Sequence, residues 1–280
     1  MTVPRVRGRK GEGRLVCVTA YDAPTAALVE AAGVEVILVG DSLGNVVLGY
    51  ENTLPVTMDE MVHHLRAARR GTRRALLVGD LPFMSYQAGP ADALRHAGRF
   101  LKEGADAVKL EGGLEVLPMV NAMVAQGIPV MGHVGLTPQR VREYGGYRAQ
   151  GVTVAAAARI WQAAVALDRA GVFAIVLEAM PASLARRITA AVACPTIGIG
   201  AGPDCDGQIL VFHDLVGLSP VPPPFARAWA DGRRVFAKAV GRFARAVRGR
   251  GWPPRGRGAA LPPGDLAALD RLIAGEAGRS

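Results

Sequence analysis

The sequence predicts a (β/α)8 TIM barrel followed by a C-terminal helical appendage. Eight short apolar runs alternate with segments of helical periodicity, and most of these runs end in a polar side chain. Strands that are each followed by a helix close into a barrel whose strand ends all meet at one face. The predicted strands are residues 15–21, 35–40, 75–80, 106–111, 128–134, 174–178, 195–200 and 209–213.

Glycines mark the joints between the predicted helices and strands. Gly33, Gly71, Gly104, Gly127 and Gly171 each precede a strand, where a helix is expected to end. The alternative is an open doubly wound sheet, which carries a GxGxxG turn after its first strand and gathers its polar residues at one switch point. Neither feature is present in this sequence, so the barrel is favoured.

The ends of the second, third and fourth strands bring three carboxylates into the predicted site. Asp41 follows the second strand, Asp80 ends the third, and the fourth carries Lys109 and Glu111. Hard oxygen donors without nearby Cys or His ligand spacing favour Mg²⁺ over Zn²⁺. The alternative is a structural cluster in which these carboxylates pair with Lys109 and neighbouring arginines. Because an unpaired buried carboxylate is costly, both interpretations require the side chains to converge.

Lys109 is the cation among the predicted site residues. Lys109 and Glu111 project to the same face of their strand, where the lysine is suited to bind an anion or stabilise an enolate oxygen. A Schiff-base role is disfavoured, because neighbouring acids keep a lysine protonated.

The later strand ends supply a candidate base and two histidines of ambiguous role. Glu178 ends the sixth strand among apolar neighbours, which favours a general base; a helix cap or salt bridge is the alternative. His133 is predicted to end the fifth strand, where it would contact either the substrate or a backbone carbonyl. His213 is predicted to end the eighth strand, and its role is ambiguous.

Two glycine-rich connections depart from the regular repeat, and a third glycine-rich stretch follows the predicted seventh strand. The connections at residues 44–57 and 137–153 are long and polar, which is typical of lids and binding walls. The stretch at residues 195–208 weakly resembles a phosphate-binding loop, as found after the seventh strand of many barrels. It fits the close approach of a neighbouring backbone equally well.

The positive charge is confined to the C-terminal part of the chain. The net charge is +9, yet residues 1–220 hold 21 basic and 20 acidic side chains, whereas residues 221–258 hold 10 basic and one acidic. Residues 225–251 place apolar side chains at helical spacing among these arginines, which predicts an amphipathic helix lying on the body with a solvated basic face. Nucleic-acid binding through this face is the competing interpretation, and no RNA-binding or zinc-finger signature supports it. We therefore expect a catalytic barrel with C-terminal helices over residues 1–250, and a flexible extension over 251–280.

Cysteine usage and hydropathy indicate a cytoplasmic protein. Cys17, Cys194 and Cys205 form no CxxC pair, and their odd number argues against a disulfide framework. No apolar run approaches the ~20 residues that span a membrane, and no apolar segment follows the basic N-terminus. We expect neither a membrane nor a specific nucleic acid as partner.

A series of motifs resembles the ketopantoate hydroxymethyltransferase family. In order over residues 2–218 these are TVPRV, VTAYDAPTA, LVGDSLGNVVLGYENTLPVT, LLVGDLPFMSYQ, AVKLEGG, PVMGHVGLTPQ, GGYRAQG, VLEAMP, ARRIT and IGIGAGPDCDGQILVFHDLVGL. The resemblance implies a barrel that uses Mg²⁺ and 5,10-methylenetetrahydrofolate to add a hydroxymethyl group to 2-oxoisovalerate, giving ketopantoate for pantothenate and coenzyme A synthesis. It also implies a large homo-oligomer, commonly a decamer.

The resemblance also implies roles for individual residues. Asp41, Asp80 and Glu111 match metal ligands; Asp41, Ser42, Asp80 and Lys109 match substrate contacts; and Glu178 matches the proton acceptor. We add His133 to the substrate contacts from its position. A 2-oxo acid can chelate Mg²⁺ through its carboxylate and keto oxygens, which agrees with this arrangement.

Two observations limit what can be inferred from the resemblance. The tail from Trp252 onward has no counterpart in the family pattern, and its composition indicates a linker ahead of a short helix. The competing enzymatic interpretation is a carbon–carbon lyase or phosphomutase of the phosphoenolpyruvate mutase and isocitrate lyase type. A nucleophilic cysteine in a motif such as KKCGH would favour that interpretation, and the sequence has none.

Overall fold

The computed structural model describes residues 1–254 and 257–277, and it contains a closed barrel of eight parallel strands. Each strand pairs with the next along the chain, and the last returns to the first. The strands are β1 (Leu15–Thr19), β2 (Val36–Val39), β3 (Leu76–Asp80), β4 (Ala107–Lys109), β5 (Val130–Gly135), β6 (Ala174–Glu178), β7 (Thr196–Ile199) and β8 (Gly207–Leu210). The predicted (β/α)8 fold is confirmed.

Helices connect the strands and precede and follow the barrel. They are α1 (Val3–Arg7), α2 (Ala23–Ala31), α3 (Leu43–Val46), α4 (Met58–Gly71), α5 (Pro90–Lys102), α6 (Leu117–Ala125), α7 (Val141–Tyr144), α8 (Val154–Arg169), α9 (Ala182–Ala191), α10 (Phe212–Leu215), α11 (Gly232–Arg248) and α12 (Pro263–Ala277). No helix in residues 1–254 and 257–277 is both long enough and apolar enough to cross a membrane.

Two apolar layers build the barrel, because alternate residues of a strand point to opposite sides. The inner layer includes Cys17, Leu38, Val78 and Met131, all buried. Val6 of α1 is fully buried in the same cluster, so the N-terminal helix packs against the inside of the barrel. The outer layer packs strand residues against the surrounding helices and forms the larger core.

Two sequence predictions are corrected in position. β8 ends at Leu210, so His213 does not end a strand but lies on α10. The backbone N–H of Phe212 donates to Thr19 Oγ1 at 3.0 Å, which starts the helix where the apolar pattern suggested more strand. Gly71 is the last residue of α4, and a Cβ there would lie 2.1 Å from the Ala23 carbonyl oxygen. The close approach of α2 and α4, and not a left-handed cap, therefore requires this glycine.

The chain divides into two compact units, residues 1–230 and 231–280. In the second unit, α11 is amphipathic, and its apolar Val235, Phe236, Val240 and Phe243 are exposed. α12 is the short helix predicted within the tail. The predicted domain boundary at residue 250 falls inside this unit; that boundary and the packing of the basic helix on the body stay predictions.

Candidate active site

The polar residues at the strand ends converge on one cavity of about 1070 Å³ at the C-terminal face of the barrel. The seven residues singled out from the sequence all line it: Asp41, Ser42, Asp80, Lys109, Glu111, His133 and Glu178. Both long connections contribute walls, through residues such as Thr53 and Tyr147. This is the face at which barrel enzymes place their catalytic groups.

Three buried carboxylates form the centre of the site. Asp41, Asp80 and Glu111 each offer an oxygen, and these oxygens all lie within 4.8 Å of one another. Burial, followed by the charges of Asp80 and Glu111, raises the pKa of Asp41 well above its usual range. Burial also raises the pKa of Asp80. A cation bound between these carboxylates would therefore be stabilised, because it would neutralise their negative charge.

Lys109 balances part of this negative charge. Its Nζ donates to the two carboxylate oxygens of Asp80 at 2.7 and 2.8 Å and lies 3.6 Å from Glu111 Oε1. Burial opposes the charge on the lysine, but the three carboxylates outweigh it and raise the pKa of Lys109. Lys109 therefore stays protonated, which agrees with a role in binding an anion and disfavours a nucleophilic amine.

Gln139 and Tyr86 hold the carboxylates in place, and neither was predicted from the sequence. The Gln139 amide donates to Asp41 Oδ2 at 3.0 Å and to the Leu81 carbonyl at 2.9 Å, and its backbone N–H donates to Glu111 Oε2 at 3.1 Å. The Tyr86 hydroxyl donates to Gln139 Oε1 at 2.8 Å. Gln139 lies in the motif TPQ, which follows β5, and Tyr86 lies in the motif MSYQ, which follows β3. These positions after strand ends were the only signal in the sequence that could have identified them.

His133 lies between two carboxylates. Its Nδ1 is 3.5 Å from Glu111 Oε1, and its Nε2 is 3.2 Å from Glu178 Oε2, although neither contact has the alignment of a hydrogen bond. Burial and Lys109 lower the pKa of His133, but the two carboxylates outweigh them and raise it to about 9. The imidazolium thus links the acidic centre to Glu178.

The backbone around Glu178 is tightly constrained. Gly135 has φ +102°, and a Cβ there would lie 2.2 Å from the Glu178 carbonyl oxygen. Ala179, directly after Glu178, has φ +45°, a left-handed conformation that is uncommon outside glycine. Such strain concentrates at functional sites, where the surrounding structure holds it. The Glu178 side chain lines the cavity and is 15% exposed.

A second polar group lies on the side of the cavity formed after β8. We name it the β8 corner: His213, Asp214 and Ser219, all lining the cavity. The Tyr21 ring lies 5.7 Å from the His213 ring, and the Tyr21 hydroxyl is 2.9 Å from Ser42 Oγ. Tyr21 therefore contacts both His213 of the β8 corner and Ser42, the residue that follows Asp41.

Comparison with known proteins places this geometry in a family. The family profile described as ketopantoate hydroxymethyltransferase matches residues 1–255. The chain belongs to the ketopantoate hydroxymethyltransferase family. Membership makes the chain an enzyme of the hydroxymethyltransferase class.

Members of the ketopantoate hydroxymethyltransferase family with high identity cover nearly the whole chain. The 3-methyl-2-oxobutanoate hydroxymethyltransferase of Pyrobaculum neutrophilum is 57% identical over 88% of this chain and 94% of its own length. The enzyme of the same name from Moorella thermoacetica is 55% identical over 89% and 93%.

Solved structures share the fold at low identity. Phosphonopyruvate hydrolase in complex with oxalate and Mg²⁺ has a TM-score of 0.61 at 17% identity, covering 99% of both chains. A 2,3-dimethylmalate lyase of the phosphoenolpyruvate mutase and isocitrate lyase superfamily has a TM-score of 0.53 at 14% identity, covering 99% of both chains. These likenesses concern the barrel alone.

Proposed function

We propose that the chain transfers a hydroxymethyl group from 5,10-methylenetetrahydrofolate to 3-methyl-2-oxobutanoate, also named 2-oxoisovalerate, and so forms ketopantoate for pantothenate and coenzyme A synthesis. The relatives that carry this name support the acceptor and the product. The observation that carries the proposal is the placement of an acidic centre, a buried lysine and Glu178 in one cavity. This combination suits the formation and use of an enolate.

The donor set of the acidic centre fits Mg²⁺. Asp41, Asp80 and Glu111 are hard oxygen ligands, all buried, and no Cys or His completes a soft set among them. They would hold the ion, and the bound ion would stabilise negative charge on the keto oxygen of the acceptor. The structure of phosphonopyruvate hydrolase was solved with Mg²⁺, but that likeness is one of fold; the case for Mg²⁺ here depends on the donors.

The residues around this centre would orient the acceptor. Lys109 offers a fixed positive charge to the carboxylate or keto oxygen of the 2-oxo acid. Ser42 and His133 line the same cavity and are placed to donate hydrogen bonds. With the acceptor held by its polar end, its C3–H bond is directed away from the acidic centre, toward the cavity lining that includes Glu178.

Glu178 would act as the proton acceptor. Its carboxylate takes the proton from C3, and the electron pair of the broken C–H bond forms the enolate. C3 then bonds to the methylene carbon of the folate donor as the bond between that carbon and one folate nitrogen breaks. Water displaces the second folate nitrogen from the same carbon and supplies the hydroxyl group. The proton taken from C3 and the proton released by water end on the two freed nitrogens of tetrahydrofolate.

The lyase alternative receives no support from the cavity. The sulfurs required for a nucleophilic cysteine are absent there, because Cys17, Cys194 and Cys205 are buried and none lines the cavity among the described residues. From the family resemblance we also propose that the protein is cytoplasmic and forms a homo-oligomer, a decamer. Sedimentation velocity would determine the mass of this oligomer.

The proposal is tested by hydrogen exchange at C3. Proton NMR of 2-oxoisovalerate in D₂O with the purified protein should show Mg²⁺-dependent loss of the C3 proton signal. Glu178→Gln should slow this exchange about 10²- to 10⁴-fold, the usual contribution of one positioned base. Glu115→Gln is the matched control, because Glu115 is exposed after β4 and lies outside the cavity.

Two results would contradict the proposal. Near-normal exchange with Glu178→Gln would remove this residue as the base. Absence of exchange in the wild-type protein, with Mg²⁺ and tetrahydrofolate both present, would leave the reaction without support.

A further inference from the structure

Ser42 is a site residue whose hydroxyl the fold does not use in the usual way. It is the N-cap residue of α3, and it lines the cavity directly after Asp41. A serine at an N-cap normally accepts a hydrogen bond from the helix backbone, but the Ser42 side chain makes no such bond. A Cβ at Gly40 would lie 2.9 Å from Ser42 Oγ, so a glycine there leaves room for the hydroxyl. The hydroxyl is therefore available to a ligand in the cavity.

Tyr21, two residues after β1, is the hydrogen-bond partner of the Ser42 hydroxyl. The two hydroxyl oxygens are 2.9 Å apart. The Tyr21 side chain is buried in the larger core, 2% exposed, and is not part of the cavity lining. Tyr21 can therefore act on a bound ligand only through a side chain that does line the cavity, and its hydrogen bond leads to Ser42.

The surroundings of Tyr21 decide which of the two hydroxyls donates. Burial outweighs the hydrogen bonds of Ser42 and Thr19 and raises the pKa of Tyr21, so the phenol keeps its proton. Thr19 Oγ1 already accepts the backbone N–H of Phe212 at 3.0 Å, which favours Thr19 as a donor to Tyr21. A phenol is more acidic than an aliphatic alcohol and is the better donor of such a pair, and a buried donor is rarely left without an acceptor. The Tyr21 proton is therefore directed to Ser42 Oγ.

We infer that Tyr21 is a positioning residue, which donates to Ser42 Oγ and thereby directs the Ser42 proton toward the acceptor. This inference rests on the proposed function. The carboxylate and keto oxygens of a 2-oxo acid only accept hydrogen bonds, so Ser42 can contact them only as a donor. Without the Tyr21 hydroxyl, the Ser42 hydroxyl rotates freely, and its proton points to the acceptor for only part of the time.

Tyr21→Phe removes the hydroxyl and keeps the ring. We expect 2-oxoisovalerate to bind the Mg²⁺-loaded full-length protein about 3- to 10-fold more weakly, as for loss of one hydrogen bond. Isothermal titration calorimetry measures this affinity without turnover. In the C3 exchange assay, KM for 2-oxoisovalerate should rise by the same factor while the maximal rate stays within about twofold, because the contact is present both before and after the proton is removed.

Mn²⁺ affinity separates this positioning role from a merely structural one. Asp41 directly precedes Ser42, so a general shift of this strand end would also disturb the acidic centre. Electron paramagnetic resonance of free Mn²⁺ should give the same affinity for Tyr21→Phe and the wild type. Joint loss of Mn²⁺ and acceptor affinity would show that Tyr21 supports the strand end and not the Ser42 proton, and would overturn the inference.

Ser42→Ala completes a double-mutant cycle. It should weaken acceptor binding at least as much as Tyr21→Phe does, and Tyr21→Phe should add nothing in the Ser42→Ala background, because the hydroxyl through which Tyr21 acts is absent. Gly40→Ala tests the same contact if Tyr21→Phe fails to fold, because its Cβ displaces Ser42 Oγ and should weaken binding similarly. Additive effects of Tyr21→Phe and Ser42→Ala would overturn the inference.

Tyr50→Phe is the matched control. The Tyr50 hydroxyl donates to Glu60 Oε1 at 2.6 Å, and Tyr50 does not line the cavity, so loss of this hydroxyl should leave acceptor binding unchanged. Unchanged acceptor binding with Tyr21→Phe would overturn the inference and leave the proposed function intact. Absence of 2-oxoisovalerate binding to the wild type with Mg²⁺ present would instead remove the proposed acceptor, and with it both proposals.

Discussion

At the scale of single residues, the candidate site is a balance of buried charges. Four carboxyl groups, from Asp41, Asp80, Glu111 and Glu178, face the cations Lys109 and His133. Burying charge is tolerated only when partners and hydrogen bonds compensate. The excess of carboxyl groups over cations is the physical reason why this centre would hold a divalent cation.

Gln139 is the residue on which the positions of these carboxylates most depend. Its side chain fixes Asp41, and its backbone fixes Glu111. We predict that Gln139→Met, which keeps the length but removes the amide, weakens Mn²⁺ binding about 10- to 100-fold, as loss of a group that orients metal ligands usually does. Electron paramagnetic resonance of free Mn²⁺ gives the affinity directly.

The control for this variant is Gln126→Met, at an exposed position at the C-terminal end of α6. It should bind Mn²⁺ like the wild type. An affinity of Gln139→Met within twofold of the wild type would show that Asp41 needs no such support.

The sequence predicted the charged residues of the site better than their supports. Asp41, Asp80, Glu111 and Glu178 were recognisable because each interrupts or ends an apolar run. Gln139 was not, because it follows β5 within a loop, and a loop's path over the barrel face depends on tertiary packing. The bidentate contact of Lys109 with Asp80 depends on the register of β3 and β4, which pairs these two residues.

At the scale of elements, periodicity was sufficient for the barrel and failed where tertiary contacts override propensity. The strand β8 starts at Gly207, a weak strand former, because its backbone lies against Leu15 and a Cβ would be 2.7 Å from the Leu15 carbonyl oxygen. It stops before Val211 and Phe212, both good strand formers. Because the strand stops there, the prediction that His213 ends β8 was wrong.

Glu30 joins three elements and offers a test of what holds the barrel together. It lies on α2, and its Oε1 accepts the backbone N–H groups of Arg73, Arg74 and Ala75 at 2.8, 2.6 and 2.9 Å, between α4 and β3. We predict that Glu30→Gln lowers the free energy of unfolding by about 1.5–3 kcal/mol at pH 7, the range for hydrogen bonds to a charged group. Urea denaturation measures this difference.

The effect of Glu30 should depend on pH in a defined direction. Burial opposes its charge, but the three backbone donors and Arg74 outweigh it and lower the pKa of Glu30. Its contribution is therefore complete above the unfolded pKa of about 4.3 and is lost as the pH falls through the lower folded pKa. The exposed control Glu12→Gln should change little at any pH, and a constant Glu30→Gln effect down to the acid transition would contradict this explanation.

At the scale of the whole molecule, chemistry and charge occupy different parts of the chain. All site residues lie within residues 1–230, whereas most of the basic excess lies on and around α11. Most of the net charge of +9 therefore belongs to the second unit, where 11 basic and four acidic side chains give +7, and not to the part of the chain that forms the cavity. Any attraction to nucleic acid should be weak and fall steeply with salt, as nonspecific phosphate contacts do.

The final residues should be dispensable for the chemistry. The family match ends at residue 255, and no group that we place in the cavity lies beyond Phe225. We predict that a chain ending at residue 255 exchanges the C3 proton of 2-oxoisovalerate within about twofold of the full chain, since one missing catalytic group would cost about 10²-fold or more. A folded truncated protein, judged by circular dichroism, that lost exchange by that larger factor would show that residues 256–280 contribute to the site, and the family comparison would then be an incomplete guide to this enzyme.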